Sequence, residues 1–125
     1  MRTKHGFTLI ELLVVLSIIA TLLTLAAPRY FQHVERAKEA VLRENLASVR
    51  QALDQYHADK GAWPTTLQAL VDERYLRTLP LDPITESNTS WLLEAPAGEG
   101  VDGGIYNLHS GAEGSGSDGR PYSEL

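Results

Sequence analysis

The chain has 125 residues, a formal net charge of −5 from 11 Lys+Arg against 16 Asp+Glu, and no cysteine. The length admits one domain and little more, and the acidic balance argues against a nucleic-acid partner, because phosphate binding needs a basic surface. The missing thiols exclude disulfides, thiolate zinc sites and cysteine nucleophiles together. Hydrophobic residues make up 43% of the chain, and nearly half of them lie in its first third. That distribution implies a membrane segment joined to a small polar domain.

From Phe7 to Ala27 the chain reads FTLIELLVVLSIIATLLTLAA, 21 residues whose only charge is Glu11. A bilayer core takes about 20 apolar residues at roughly 1.5 Å each, so the run is long enough to span. Arg2 and Lys4 precede it and place the N-terminus in the cytoplasm by the positive-inside rule, although Arg29, Arg36 and Lys38 follow on the other side. A secretory signal peptide is the plain rival, with small residues near Ala26. Pro28 directly after the small pair weighs against it. So does Glu11, since an acid at the centre of a membrane helix costs about 2.5–3.5 kcal/mol on insertion scales.

The string Lys4-His5-Gly6-Phe7-Thr8-Leu9-Ile10-Glu11-Leu12-Leu13-Val14-Val15 resembles the N-terminal signature of type IV pilins and pseudopilins. The resemblance implies that a cytoplasm-facing prepilin peptidase cuts between Gly6 and Phe7. The 119-residue mature chain would then begin with an N-methylated Phe7 and carry Glu11 as its fifth residue. Physical chemistry fits that reading. The freed α-amine is largely cationic at neutral pH, and pairing it with Glu11 is the natural way to hold a carboxylate in lipid. An intramolecular pair is one option. The family reading, in which Glu11 meets the amine of a neighbouring subunit and sets axial register in a filament, is favoured.

Beyond the apolar run, Leu42, Leu46, Val49, Leu53 and Tyr56 advance by four and three, the period of one helix face. Val34, Ala37 and Val41 form a shorter stripe before them, and Glu39 precedes Arg43 by four residues as a surface pair. Pro28 is expected to kink the helix. A single helix of roughly 50 residues ending at Gly61 would reach about 75–80 Å. After the break at Gly61–Thr66, Thr65 or Thr66 caps a second short helix through Arg74, with Leu67, Leu70 and Val71 facing in. Pro80 and Pro83 then enforce an extended loop. Strands are expected at Ser90–Glu94, at Ile105–His109 and around Tyr122. The fold class is α+β: a long helical spine, a short helix and a small C-terminal antiparallel sheet.

Ala52–Pro83, ALDQYHADKGAWPTTLQALVDERYLRTLPLDP, is similar to the matching stretch of major pseudopilins of type II secretion systems. Its plain physical content is packing of Trp63, Leu67, Leu70 and Tyr75 onto the spine. Ile84-Thr85 departs from that pattern, standing where an aromatic and glycine are common, and the tail Ser110–Leu125 is short. The resemblance implies a leader at 1–6, a transmembrane and assembly helix at 7–28 and a periplasmic head at 29–125. It implies a single-pass bacterial inner-membrane protein that polymerises with itself. The partners it implies are minor pseudopilins, prepilin peptidase and an inner-membrane platform with an ATPase, and the polymer would help export folded proteins. A type IV pilin for adhesion, motility or DNA uptake is the near alternative, and a membrane-tethered or secreted binding domain the distant one.

Because relatives of this class often hold calcium in their C-terminal loops, Asp102, Glu113 and Asp118 are the candidate oxygen ligands, set among glycines that let carbonyls turn inward. No EF-hand spacing is present, and a solvated acidic loop is the competing reading. His109-Ser110 invites a hydrolase reading that nothing else supports, since neighbours on a strand point to opposite faces. His33 and His57 read as surface residues. An enzymatic role is not expected.

Overall fold

The computed structural model describes residues 6–96 and 103–125. Helix α1 (Leu9–Lys60) is followed by α2 (Gln68–Asp72), strands β1 (Leu92–Glu94) and β2 (Asn107–His109), and a 3-10 turn at Tyr122–Glu124. This is the expected α+β architecture. The chain divides into two compact units, one through Glu35 and the other Arg36–Leu125.

In the first unit, every large apolar side chain from Leu9 to Leu25 stays between 47 and 80% exposed. The three hydroxyl side chains of this stretch point back into the helix. Ser17 donates to the Leu13 carbonyl (2.8 Å), Thr21 to Ser17 (2.8 Å) and Thr24 to Thr21 (2.7 Å). Such back-bonding lets polar residues sit in hydrocarbon without unpaired groups. α1 runs through Pro28 as continuous helix, although Pro28 cannot donate to the Thr24 carbonyl.

In the second unit the expected stripe is the core. Leu42, Val49 and Leu53 are fully buried and Leu46 almost so, with Ala52 beside them. Each fully buried leucine contributes roughly 1.5–3 kcal/mol. The cover comes from Leu67 and Leu70 of the α2 segment, Trp91, Leu108 of β2 and Tyr122. Val41 remains half exposed and Ala37 exposed, so the shorter stripe lacks a local cover. Arg50 ties α1 to the C-terminal segments: its Nε donates to Asn107 Oδ1 (2.9 Å), and its terminal nitrogen to the carbonyls of Leu108 (2.9 Å) and Leu125.

β1 and β2 pair antiparallel, Leu93 opposite Leu108 and Glu94 opposite Asn107. Both strands are shorter than expected. The strand expected around Tyr122 is instead the 3-10 turn. Here Ser115 and Pro121 close a tight loop through an isolated bridge, Tyr122 N–H donates to the Gly114 carbonyl (3.1 Å), and the ring is buried. α2 is also shorter than expected, because Arg74 takes φ +66°, a left-handed conformation that ends a helix. The N-cap position falls on Leu67, not on Thr65 or Thr66, although the Thr66 hydroxyl accepts from Ala69 N–H at 3.3 Å just ahead of the helix.

Trp63 stacks on His57 with ring centroids 4.0 Å apart. His57 is therefore half-buried packing material and not the free surface residue that its lone polar ring suggested. Gly104, at φ +84°, lies so close beneath Trp63 that a Cβ there would sit 2.6 Å from the Trp63 carbonyl oxygen.

Candidate functional site at the start of the long helix

Gly6 and Phe7 precede α1 in non-helical chain, and Phe7 is 89% exposed. A Cβ built on Gly6 would meet nothing within 4 Å. Among the described residues, the glycine therefore answers to no packing need. The Gly6–Phe7 bond is accessible and needs no helix unwinding.

α1 then starts at a cap. Thr8 Oγ1 accepts the Glu11 backbone N–H at 3.1 Å, which places Thr8 at the N-cap and Glu11 three positions in. Satisfying an otherwise orphaned amide in this way stabilises a helix start by about 1 kcal/mol. The negative side chain of Glu11 also sits where the helix dipole favours it. The sequence carried this signal as Thr-x-x-Glu, the capping-box spacing. Reading Glu11 only as an acid in an apolar run overlooked it. Beyond the cap, the Glu11 carboxylate takes no hydrogen bond or ion pair among the described residues, and the residue is exposed. A membrane-length helix thus presents one unpaired acid near its start.

The second cluster joins the tail to α1. Glu39, expected as half of a surface pair, is buried. Its Oε2 accepts the Ser117 backbone N–H (2.9 Å) and its Oε1 the Arg43 guanidinium (2.9 Å). Those two donors, the Ser117 amide foremost, hold its carboxyl down at about 2. Asp118 accepts from Arg120 N–H (3.0 Å) and from Arg43 (3.1 Å), and these hydrogen bonds lower its pKa as well, the Arg120 amide most. Among the calcium candidates, Asp118 therefore serves α1 and its own loop, and Glu113 is exposed. Asp102 lies outside the described residues. Among the described residues no three His, Cys, Asp or Glu side chains gather as a metal-binding group.

His109 and Ser110 point to separate partners. His109 Nε2 meets Glu94 Oε2 at 2.9 Å, and the same carboxylate accepts the Tyr106 hydroxyl at 2.7 Å. Tyr106 first and His109 second lower the Glu94 pKa. Ser110 is fully buried and donates to Asp82, also fully buried, which accepts the Ile84 amide (2.8 Å) too. This arrangement pins the loop after Pro80 to the end of β2. Nothing in the sequence announced it, because the partners lie 28 positions apart.

The comparisons with known proteins cover both units. Residues 1–27 match the prokaryotic N-terminal methylation motif and residues 29–120 match the family described as type II secretion system (T2SS), protein G. The type II secretion system core protein G of Pseudomonas aeruginosa is 35% identical over 98 residues, which is 66% of this chain and 69% of that one. Its namesake from Klebsiella pneumoniae is 34% identical over 99 residues, 66% of this chain and 71% of its own. Fimbrial protein EcpC of Eikenella corrodens is 27% identical over 124 residues, 94% and 79% of the two chains. No solved structure matches this chain.

Proposed function

The chain belongs to the type II secretion system protein G family, and from that premise we propose how its residues serve the work of a pseudopilin. It is a structural subunit of a type II secretion pseudopilus, assembling with other components of that system. The proposed division is a leader at 1–6, a transmembrane and assembly helix at 7–28 and a periplasmic head at 29–125. Prepilin peptidase removes the leader between Gly6 and Phe7, and Phe7 is methylated on its new amine. The mature subunit rests in the inner membrane by its single apolar helix. An ATPase-driven platform and minor pseudopilins draw it into a short filament that helps export folded proteins.

One observation carries this reading: an accessible Gly6–Phe7 bond lies just ahead of a capped helix whose first, apolar stretch has no buried residue and a single acid, unpaired among the described residues. In the filament, Glu11 pairs with the Phe7 amine of a neighbouring subunit. The pair shields two charges that are each costly alone in lipid. Calcium at Asp102, Glu113 and Asp118 stays a proposal for the tail. Its test is a head melting temperature that rises in calcium and falls back in chelator, since a ligand held only by the folded state stabilises it.

The decisive experiment is Glu11→Leu. Cleavage and insertion should persist, because the helix becomes more apolar, while filament formation and secretion should be lost. Wild-type filament yield from that variant would remove Glu11 from the assembly role. Mass spectrometry of the mature N-terminus tests the cut, with methylated Phe7 as the expected first residue. A start near Ala27 would return the chain to the secreted-domain reading.

A further inference from the structure

The chain has three asparagines, at 45, 88 and 107, and only Asn88 opens an Asn-x-Ser/Thr triplet, as Asn88-Thr89-Ser90. That spacing is the acceptor pattern for oligosaccharide transfer to a side-chain amide, provided it lies on an accessible loop. The structure meets the proviso. Asp82 and Ser87 pair through an isolated bridge, with Asp82 N–H donating to the Ser87 carbonyl at 2.9 Å. Glu86 takes φ +57° there, and the chain emerges with Asn88 and Thr89 both exposed.

The ties that hold this loop run through neighbours of Asn88. Ser87 Oγ accepts the Thr89 N–H (3.1 Å), Thr85 Oγ1 and Ser90 Oγ lie 2.7 Å apart, and Asp82 anchors the loop from the core. The Asn88 side-chain amide makes no hydrogen bond among the described residues. Ser90 can accept from Thr85 and still offer its own proton to an outside acceptor.

We propose that Asn88 is an N-glycosylation site. The amide nitrogen of Asn88 attacks the anomeric carbon of an oligosaccharide carried on a polyprenyl diphosphate. A carbon–nitrogen bond forms, and the bond from that carbon to the diphosphate oxygen breaks. The polyprenyl diphosphate leaves with the electron pair, and the amide gives up one proton to a base of the transferase. No oxidation or reduction is involved. The inference rests on the reading that the head lies across the membrane, where such a membrane-bound transferase works.

The test expresses the full chain in bacteria that supply an oligosaccharyltransferase, its lipid-linked oligosaccharide and a known acceptor protein as control. Intact and peptide mass spectra are recorded for the mature chain. One added oligosaccharide, mapped to Asn88, is expected. It should vanish in Asn88→Gln, persist in Ser90→Thr and fall at least tenfold in Ser90→Ala. Because the amide of Asn88 holds nothing in the fold, Asn88→Gln should keep the wild-type melting temperature. A chain that begins at Phe7 but carries unmodified Asn88, while the control acceptor is modified, overturns the proposal and leaves the pseudopilin reading standing. A head found on the cytoplasmic side, by protease access in intact spheroplasts, overturns the orientation premise and the proposal with it.

Discussion

One helix serves two solvents. Between Leu9 and Leu25, α1 leaves its apolar residues exposed all round, and among the described residues its side-chain hydrogen bonds return to its own carbonyls. Between Leu42 and Leu53 the same helix hides one stripe to below 2% exposure, while Arg43 and Arg50 reach outward to segments far along the chain. The first stretch carries no tertiary information and depends on lipid or other subunits for burial. The second is the organising surface of a small core. An identical change should therefore be costly in the second stretch and silent in the first.

The largest contrast is in core truncation. Leu53→Ala should lower the stability of the head by about 2–5 kcal/mol, through lost burial and the cavity it leaves. Leu13→Ala should leave the denaturation midpoint of the full chain in detergent where it was. A similar loss from both would mean that the head depends on the membrane stretch for its core.

Glycine substitutions sharpen the contrast. Gly104→Ala forces a side chain onto a positive φ and against the Trp63 backbone, so a loss of roughly 1–3 kcal/mol is expected. Gly6→Ala should not change stability at all, because its surroundings are open. Its effect should appear only as slower leader removal, and Gly6→Leu should block removal, as seen by gel mobility of the precursor.

A smaller effect separates the regions by pH. The Glu39 carboxyl is held at about 2 in the folded chain, below the ordinary carboxylate range near 4.3. A depressed folded pKa stabilises above the unfolded value, and that contribution is lost as pH falls from about 4.3 towards 2. The head should therefore weaken over that window, with Glu94 and Asp118 acting in the same direction. Glu39→Gln should flatten part of the dependence in acid melting curves. An unchanged slope would show that the bond to Ser117 does not persist in solution.

The smallest effect belongs to the membrane stretch. Ser17→Ala and Thr21→Ala should each shift helix content in detergent by less than circular dichroism resolves, since each removes a donor whose acceptor carbonyl keeps its place in the helix.

What could be read from the residues follows the range of the interaction. The Leu42–Leu53 stripe repeats every three or four positions, so its burial was visible in the chain. Gly6, Phe7 and Glu11 stand in one short string. Glu39, Asp82 and Tyr122 were not visible in this way. The burial of Glu39 depends on an amide 78 positions later, and that of Asp82 on a hydroxyl 28 positions later. Tyr122 has the aromatic character of a strand residue, but Pro121 and the returning loop from Ser115 turn it into the core by another route. The cap at Thr8 was local and available, and was masked by the stronger interest of the acid it holds.

The position of that cap has a consequence for the order of events in the life of the subunit. Thr8 and Glu11 both lie C-terminal to the proposed cut at Gly6–Phe7, so that cut would take nothing from the hydrogen bonding that starts the helix. Folding and maturation are then thermodynamically uncoupled at this point. Under the proposed cut, the precursor would hold its helix before a peptidase arrives, and the mature subunit would not have to rebuild it afterwards. What the proposed cut would change is charge: it would remove Arg2 and Lys4 and turn a neutral amide at Phe7 into an amine that is largely protonated at neutral pH. Maturation on this account is an electrical event imposed on a finished scaffold.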